Sequence, residues 1–530
     1  GDSEIDNMVE LWDIFTGKSI RSFKGHSGEV VSVSFNPNGK QALTGSRDGT
    51  CKIWDVLSGQ LLCSFVSMGE TDWAAITPGG FYMTSKTAIK GVHFVQGMKV
   101  YTFDNFDLIF NRPDIVLQKI GLADPSLIRS YKLAYLKRLK KMGFDEGQIS
   151  LDMHLPEIEF TNKSFPMENK TRNISFQVKA FDSKYQLDRI NLYVNNVPVY
   201  DLKGMSLRDQ NLTHVVKDLS MDLSNGTNKI QVSVLNNKGA ESLRQTFEIL
   251  YQGEQTLTNL YVVVIGVSEY QDNEMNLGYA SKDANDLADL LEKQTGLYGK
   301  VNTIRLTDQT AIRENIMNVK KFLMQSTVDD EVIFFVAGHG LLDSELNWYF
   351  ATYDVDFGNP SKRGILYDDL EGLLDGIPAR KKLLLMDACN SGEVDKEDNV
   401  LVSENTSNEG TVKCRGFKVK LLNKSGLGLQ NSFELMQDLF ANLQKGSGTM
   451  VISSASGAEY ALESNEWSNG VFTFAVLEGI KTGKADTNKD KQIIVSELRD
   501  YVFSRVKYLT NGKQNPTSRQ ENLEFDFRVW

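Results

Sequence analysis

Apolar and polar positions follow three different rhythms along the chain. In the second half, Glu331 to Val336 and Lys382 to Met386 are short, nearly unbroken apolar runs that stop at Ala337-Gly338-His339-Gly340 and at Asp387-Ala388-Cys389-Asn390-Ser391-Gly392. That pattern predicts parallel strands buried on both faces, each delivering side chains at its carboxyl end. From Pro156 to Tyr251 the rhythm has period two, as in Ile174-Ser-Phe-Gln-Val178, Arg189-Ile-Asn-Leu-Tyr193 and Lys229-Ile-Gln-Val-Ser-Val234, with Asn, Gly and Ser turns between the runs. These residues predict an immunoglobulin-like β-sandwich. Helical periodicity over Asp114 to Ile120 and Pro125 to Met142 fills the stretch before it.

The amino-terminal rhythm repeats. Glu10-Leu-Trp-Asp13 followed by Thr16-Gly17 recurs as Lys52-Ile-Trp-Asp55 followed by Ser58-Gly59, with 42 residues between the tryptophans. Gly25-His26 and Ser46-Arg-Asp-Gly49 lie between them. The repeat resembles WD-repeat propeller blades, whose period is about 40 to 45 residues. The resemblance places His26 and Asp48 in a blade's internal hydrogen-bond network. One full repeat and a degenerate third, from Asp72-Trp73 to about Tyr101, are too few to close a ring, so a partial propeller is expected.

The strand ends carry the chemistry. A thiol is only partly ionised at neutral pH, and a neighbouring imidazole can take its proton and later protonate a leaving amine. The five histidines are His26, His93, His154, His214 and His339, so beyond residue 214 only His339 can act as such a base for Cys389. Gly340 lets a backbone amide approach a developing oxyanion, with the amide of Cys389 as a second donor.

On these residues the run from about Asn259 to Trp530, roughly half of the chain, resembles the caspase superfamily of cysteine peptidases, nearer to metacaspases and bacterial caspase-like proteins than to animal caspases. The family's histidine precedes its cysteine by about fifty residues, the interval from His339 to Cys389. Tyr261 to Val267 resembles the first core strand, Ala280 to Ala284 the start of the next helix, Thr449 to Ser453 a later core strand and Gly470 to Phe474 the start of a late helix. Glu459 to Trp467 resembles the second wall of the substrate cleft. The implied architecture is multidomain: WD-repeat blades over 1–102, a helical linker over 103–155, the sandwich over 156–253, and an α/β caspase-like domain, a mostly parallel sheet flanked by helices, over 259–530.

The resemblance also implies specificity. In metacaspases one aspartate two residues before the cysteine and another in the helix after the first strand line an acidic pocket for arginine or lysine. Asp387 and Asp283 stand at those places, and a guanidinium between them would donate charge-assisted hydrogen bonds to both carboxylates. Ala337 replaces a serine common in metacaspases. The long polar stretch from Glu393 to about Asn431 corresponds to the family's inter-fragment linker, and Lys413, Arg415, Lys418, Lys420 and Lys424 make self-cleavage there an expectation. The expected activity is thus a cysteine endopeptidase regulated by its amino-terminal domains. The alternatives are a latent scaffold and an aspartate-directed peptidase.

No cofactor is required for that chemistry, but calcium has a candidate loop. Asp486, Asn488, Asp490, the carbonyl of Gln492, and Glu497 fall at EF-hand positions, although Lys491 stands where the pattern has glycine. The other reading is an Asp/Asn-rich turn with Ser496 capping the following helix.

Composition narrows the setting. The chain has 530 residues, 41% of them hydrophobic, enough for several cores, and a net charge of -11 that argues against general nucleic-acid binding and suits basic peptide substrates. On that ground the cluster Lys137-Arg-Leu-Lys-Lys141 reads as a solvated helix face. Protein substrates, and a protein partner for the propeller or sandwich, are the expected company. No run reaches the about eighteen apolar residues of a membrane span. Only Cys51, Cys63, Cys389 and Cys414 occur, without disulfide or zinc spacing, which favours a reducing, cytoplasmic setting.

Overall fold

The computed structural model describes residues 7–85, 88–162, 164–253, 257–294, 296–343, 345, 347–388, 412–414, 447–454, 461–519 and 526–530. At the amino end, Met8–Trp12 pairs with Ser19–Lys24. Val30–Phe35, Gln41–Ser46, Thr50–Asp55, Leu61–Ser67, Trp73–Ile76 and Tyr82–Thr84 then form one antiparallel sheet in chain order. The blade network is present: His26 meets Asp48 at 2.8 Å and Thr44 at 2.7 Å, and Trp54 donates to Thr44 at 2.9 Å. Burial works to raise the pKa of Asp48, but hydrogen bonds from Thr50, His26 and Ser27 outweigh it and hold the carboxyl well below its usual range. The segment expected to open a third blade continues this sheet instead. Met68 N–H donates to the Asp72 carbonyl at 2.8 Å and folds Trp73–Ile76 back onto Leu61–Ser67 as a hairpin.

Two helices follow. In α1 (Pro113–Ile120) proline opens the helix and Gly121, in the left-handed region at φ 73°, closes it. Asp124 caps α2 (Pro125–Lys141) by accepting from the Ser126 amide. Val116 and Ile120 of α1 bury Cys63 and Ala75 of the amino-terminal sheet, and that burial pushes the Cys63 thiol up to about 11. Tyr135 and Leu139 of α2 share a core with Leu235 of the next domain.

That domain is a sandwich. A three-stranded sheet (Glu157–Phe160, Asn173–Phe181, His214–Asp222) lies over a larger one that includes Leu187–Val194, Gly226–Asn236 and Gln245–Tyr251. Ile174, Phe176, Val178 and Ala180 point into the core while their neighbours do not, as period two requires.

The carboxyl half is built on six strands, of which five are parallel. In chain order it contains β1 (Leu260–Gly266), α3 (Ala280–Glu292), β2 (Val301–Thr307), α4 (Arg313–Leu323), β3 (Glu331–Gly338), a small hairpin of β4 (Gly340–Leu342) and β5 (Trp348–Phe350), β6 (Ile365–Leu366) and α5 (Tyr367–Gly372). Then come β7 (Lys381–Ala388), β8 (Met450–Ser453), β9 (Leu462–Ser464), β10 (Asn469–Gly470), α6 (Val471–Thr482), α7 (Val495–Leu509) and β11 (Thr517–Arg519). The main sheet runs β2-β1-β3-β7-β8-β11, with only β11 antiparallel. Every residue of β1 and β3 is buried, because alternate side chains serve two cores: Val262 and Val264 meet α3, α6 and α7, whereas Val263 and Ile265 meet α4 and α5. β1 is followed by β2 on one side and β3 on the other, so the order in which strands join the sheet reverses at β1. In such sheets the crevice at the carboxyl ends beside that reversal is where ligands bind.

The sandwich seals the opposite end of the sheet. Arg380, just before β7, donates to Ser224 at 2.6 Å and to the Asp222 carbonyl, and Asp329, just before β3, accepts from Arg172 at 2.6 Å and from the Asn225 amide at 2.9 Å. The lysine cluster of α2 makes a separate contact with the carboxyl half and is not the solvated face expected. Lys141 donates to Glu371 at 2.6 Å and Asp368 at 3.2 Å on α5, Lys137 to the Glu345 carbonyl at 2.6 Å, and Arg138 to buried Asp107. The partners of Lys137 and Lys141 lie some two hundred residues further along the chain, beyond the reach of local pattern.

Candidate active site

His339 follows β3, is 4% exposed, and is held at three points. Its N–H donates to the Tyr270 hydroxyl at 2.9 Å, its carbonyl accepts from Ala351 N–H at 2.9 Å, and Nε2 lies 2.8 Å from the Met275 carbonyl. A carbonyl only accepts, so Nε2 carries the proton and Nδ1 is the basic nitrogen. The imidazole sits between the rings of Tyr270 (5.1 Å between centroids) and Phe357 (5.8 Å, edge-on). Gly340 begins the β4–β5 hairpin opposite Phe350. Because His339 and Ala351 form a hydrogen-bonded pair, Gly340 falls at the next, wide pair, and its N–H is directed away from β5.

Cys389 lies outside the described residues. β7 is described to Ala388, which pairs with Gly338, so the last paired residues of the two strands immediately precede Cys389 and His339 in the sequence.

The two aspartates converge on one feature, the amino end of α6. That helix has Gly470 at its N-cap, without a side chain to bond its amides. Asp283 of α3, fully buried, accepts from the Gly470 amide at 3.2 Å and from Asn469 Nδ2 at 2.7 Å. Asp387 of β7, also fully buried, accepts from the Thr473 hydroxyl at 2.6 Å. Both carboxylates therefore stand where a helix macrodipole favours negative charge. A third carboxylate, Asp286, accepts from the same Asn469 amide at 2.9 Å. Burial works against its charge, but hydrogen bonds from Asn469 and Lys282 hold its pKa below the usual range.

The second wall expected over Glu459 to Trp467 is described from residue 461. Glu463, nearly buried, accepts from the Gly278 amide at 2.7 Å. The short strand Val412–Cys414 pairs antiparallel with β9, Lys413 opposite Glu463 in the register. Arg415, Lys418, Lys420 and Lys424 lie outside the described residues.

The calcium loop has the EF-hand's turn, with Lys491 at φ 69° in the place of glycine. Its oxygens, however, turn onto its own backbone. Asp486 accepts from the Asp490 and Lys491 amides, Asn488 from the Asp490 amide, Asp490 from the Gln492 amide, and Glu497 from the Thr487, Asn488 and Ile494 amides. Among the described residues no set of three or more His, Cys, Asp or Glu side chains is grouped to hold a metal ion. Ser496 lies inside α7 rather than capping it; Ile494 holds the cap position, and Glu497 reaches back to its amide.

The sequence pattern carried no signal for Met275, which acts through a backbone carbonyl, or for Tyr270, one tyrosine among 18. Asn469 and Thr473 were within reach, since they flank the Gly470 segment that marks the late helix.

A parallel sheet ending on a histidine flanked by two aromatic rings, with two buried aspartates gathered at a late helix, defines a caspase-type α/β fold. The caspase-domain family model matches residues 260–528, half of the chain, and the chain belongs to that family. The WD domain, G-beta repeat model matches residues 17–55. Over short stretches the chain is similar to the guanine nucleotide-binding protein subunit beta of Arabidopsis thaliana (32% identical over 100 residues, 19% of this chain and 26% of that protein). It is similar as well to the same subunit of Oryza sativa subsp. indica (45% over 58 residues, 11% and 15%) and to autophagy-related protein 16 of Arabidopsis thaliana (32% over 94 residues, 17% and 18%). The chain thus spans about a quarter or less of these relatives. A crystal structure of a Geobacter sulfurreducens protein aligns with 51% of this chain and 93% of its own, at 16% identity and a TM-score of 0.33. Among the described residues no helix is long and apolar enough to cross a membrane.

Proposed function

We propose that this chain is a cysteine endopeptidase in which Cys389 attacks the scissile carbonyl and His339 is the base, with cleavage after arginine or lysine. The observation that carries the reading is the hydrogen bond from His339 Nε2 to the Met275 carbonyl, which fixes the tautomer with Nδ1 as proton acceptor. Nδ1 takes the thiol proton as sulfur bonds to the carbonyl carbon, and the amides of Gly340 and Cys389 stabilise the oxyanion. The same nitrogen then gives its proton to the departing amine, and water, deprotonated by His339, releases the acyl group. No metal takes part in these steps.

Specificity for a basic residue is supported by the chemistry around Asp283 and Asp387. Donors from Asn469, Gly470 and Thr473 now hold the two carboxylates, as a substrate guanidinium would in their place. Asp283→Asn and Asp387→Asn are each expected to lower kcat/KM for Arg-ended peptides about ten- to hundredfold relative to a neutral glutamine-ended peptide. An unchanged ratio, or preference for Asp-ended peptides in the wild type, would remove the acidic pocket from the reading.

Self-cleavage in the 393–431 stretch is supported by the extended backbone at Lys413. A segment paired strand-to-strand with a cleft wall is held in the way peptidases commonly hold substrates. Mass spectrometry of incubated wild-type protein should find new termini after a basic residue between 413 and 424, absent in Cys389→Ala. An intact wild-type chain after full turnover of added peptide would reject self-cleavage.

A further inference from the structure

Two of the contacts that orient His339 come from one loop, the residues between β1 and α3. Met275 holds the ring through Nε2, and Tyr270, five residues earlier, holds the backbone through its hydroxyl. The loop is itself pinned at several points. The Ser268 and Glu269 amides donate to Asp308 at 2.8 and 2.9 Å, the Tyr270 amide to Asn276 Oδ1 at 2.7 Å, and the Gly278 amide to Glu463. Tyr270 is 1% exposed, so water has little access to replace its hydroxyl.

The residue before the histidine is shaped for this contact. Gly338 has φ 154°, and a Cβ there would lie 2.9 Å from the Tyr270 hydroxyl and 3.2 Å from Phe350. Glycine at 338 therefore makes room for the tyrosine hydroxyl under the turn that launches the imidazole. The ring of Tyr270 lies against the same imidazole, tilted by 37° with 5.1 Å between centroids.

We propose that Tyr270 is a positioning residue for His339: by accepting its backbone N–H it keeps Nε2 on the Met275 carbonyl and so maintains the tautomer that presents Nδ1. The idea rests on His339 being the base. Tyr270→Phe keeps the ring and removes only the hydroxyl. The His339 backbone is then drawn towards another partner, the Nε2 bond loosens, and the two neutral tautomers mix.

The test uses the full chain with histidine labelled by nitrogen-15, His339 being assigned by the signal lost in His339→Gln. The wild type should give the pattern of a protonated Nε2 and an unprotonated Nδ1. Tyr270→Phe should give values averaged between tautomers, with kcat lowered about ten- to hundredfold and KM within about twofold. An unchanged tautomer in Tyr270→Phe, or an effect confined to KM, would overturn the proposal. If Tyr270→Phe fails to fold, Asn276→Ala decides, because it frees the Tyr270 amide without touching His339: averaging supports the role and a fixed tautomer refutes it. Should the wild type turn over no peptide, and should alkylation of Cys389 be indifferent to His339→Gln, the dyad reading fails by itself. The tautomer comparison still decides what Tyr270 does.

Discussion

Replacing His339 with alanine is expected to lower kcat/KM for an Arg- or Lys-ended peptide by at least about a thousandfold, and Cys389→Ala by as much or more. A positioned base contributes about a hundred- to ten-thousandfold, and removing the nucleophile leaves only binding and the oxyanion donors. The two losses should not add, because base and nucleophile act as one unit. The other histidines provide the contrast. His26 is bound to Asp48 and Thr44 inside the blade, His154 to Asp182 in the sandwich, and His93 is an exposed residue of a short hairpin. His93→Ala should therefore retain full activity. Fluorogenic peptides ending in Arg, Lys or Asp, with and without calcium, supply the measurement, and thermal melting confirms that each variant is folded. Full activity in His339→Ala would end the role of His339 as the base; activity on Asp-ended peptides alone would keep the enzyme and discard its acidic pocket. Silence of folded wild type towards every peptide, with Cys389 inert to a peptide electrophile, would favour a scaffold.

What could be read in advance followed the physical reach of each signal. The β3 and β7 runs were visible because strands buried on both faces need consecutive apolar residues, and β1 was visible through its likeness to a first core strand. His339 stood out because histidine is scarce in the second half of the chain. The β-sandwich was written in period-two alternation at Ile174 to Val178. The Met275 carbonyl could not be seen, because every residue has one and only the folded loop decides which one meets the imidazole. The lysines of α2 were read as solvated for a related reason: a charge on a helix face looks the same whether water or a distant carboxylate covers it. Ser496 was read as a cap from its type, but Glu497 reaches the Ile494 amide and sets the helix start earlier. The strands after Asp72 matched the spacing of a blade, yet the tight Met68–Asp72 turn makes sheet continuation the shorter path.

Arg380→Ala is expected to be among the most destabilising single changes outside the hydrophobic cores. Burial pulls the pKa of Arg380 down to about 10, the mark of a charge taken out of water, and it is kept charged by Asp329 and Asp222 nearby and by donation to Ser224 and the Asp222 carbonyl. Alanine would leave Ser224 and the Asp222 carbonyl buried without that donor and Asp329 relying on Arg172. Taking the charged donor from these acceptors costs about 1–3 kcal/mol for each one left unsatisfied, a sizeable part of the about 5–15 kcal/mol that keeps a domain folded. Arg380→Lys should recover little, since an ammonium cannot reproduce the fork that spans two acceptors. Because several units share the chain, a single unfolding free energy is not defined, so the expected readout is a lower first melting transition together with faster proteolysis around residues 222–225. The same variant tests regulation. The sandwich closes the amino ends of β3 and β7, whereas His339 stands at the carboxyl end of β3. If the amino-terminal units control the site, loosening this seam should change kcat at temperatures where the variant is still folded. A lowered transition with kcat unchanged would make the sandwich a structural brace, and an unchanged transition would mean that the seam contributes nothing to stability.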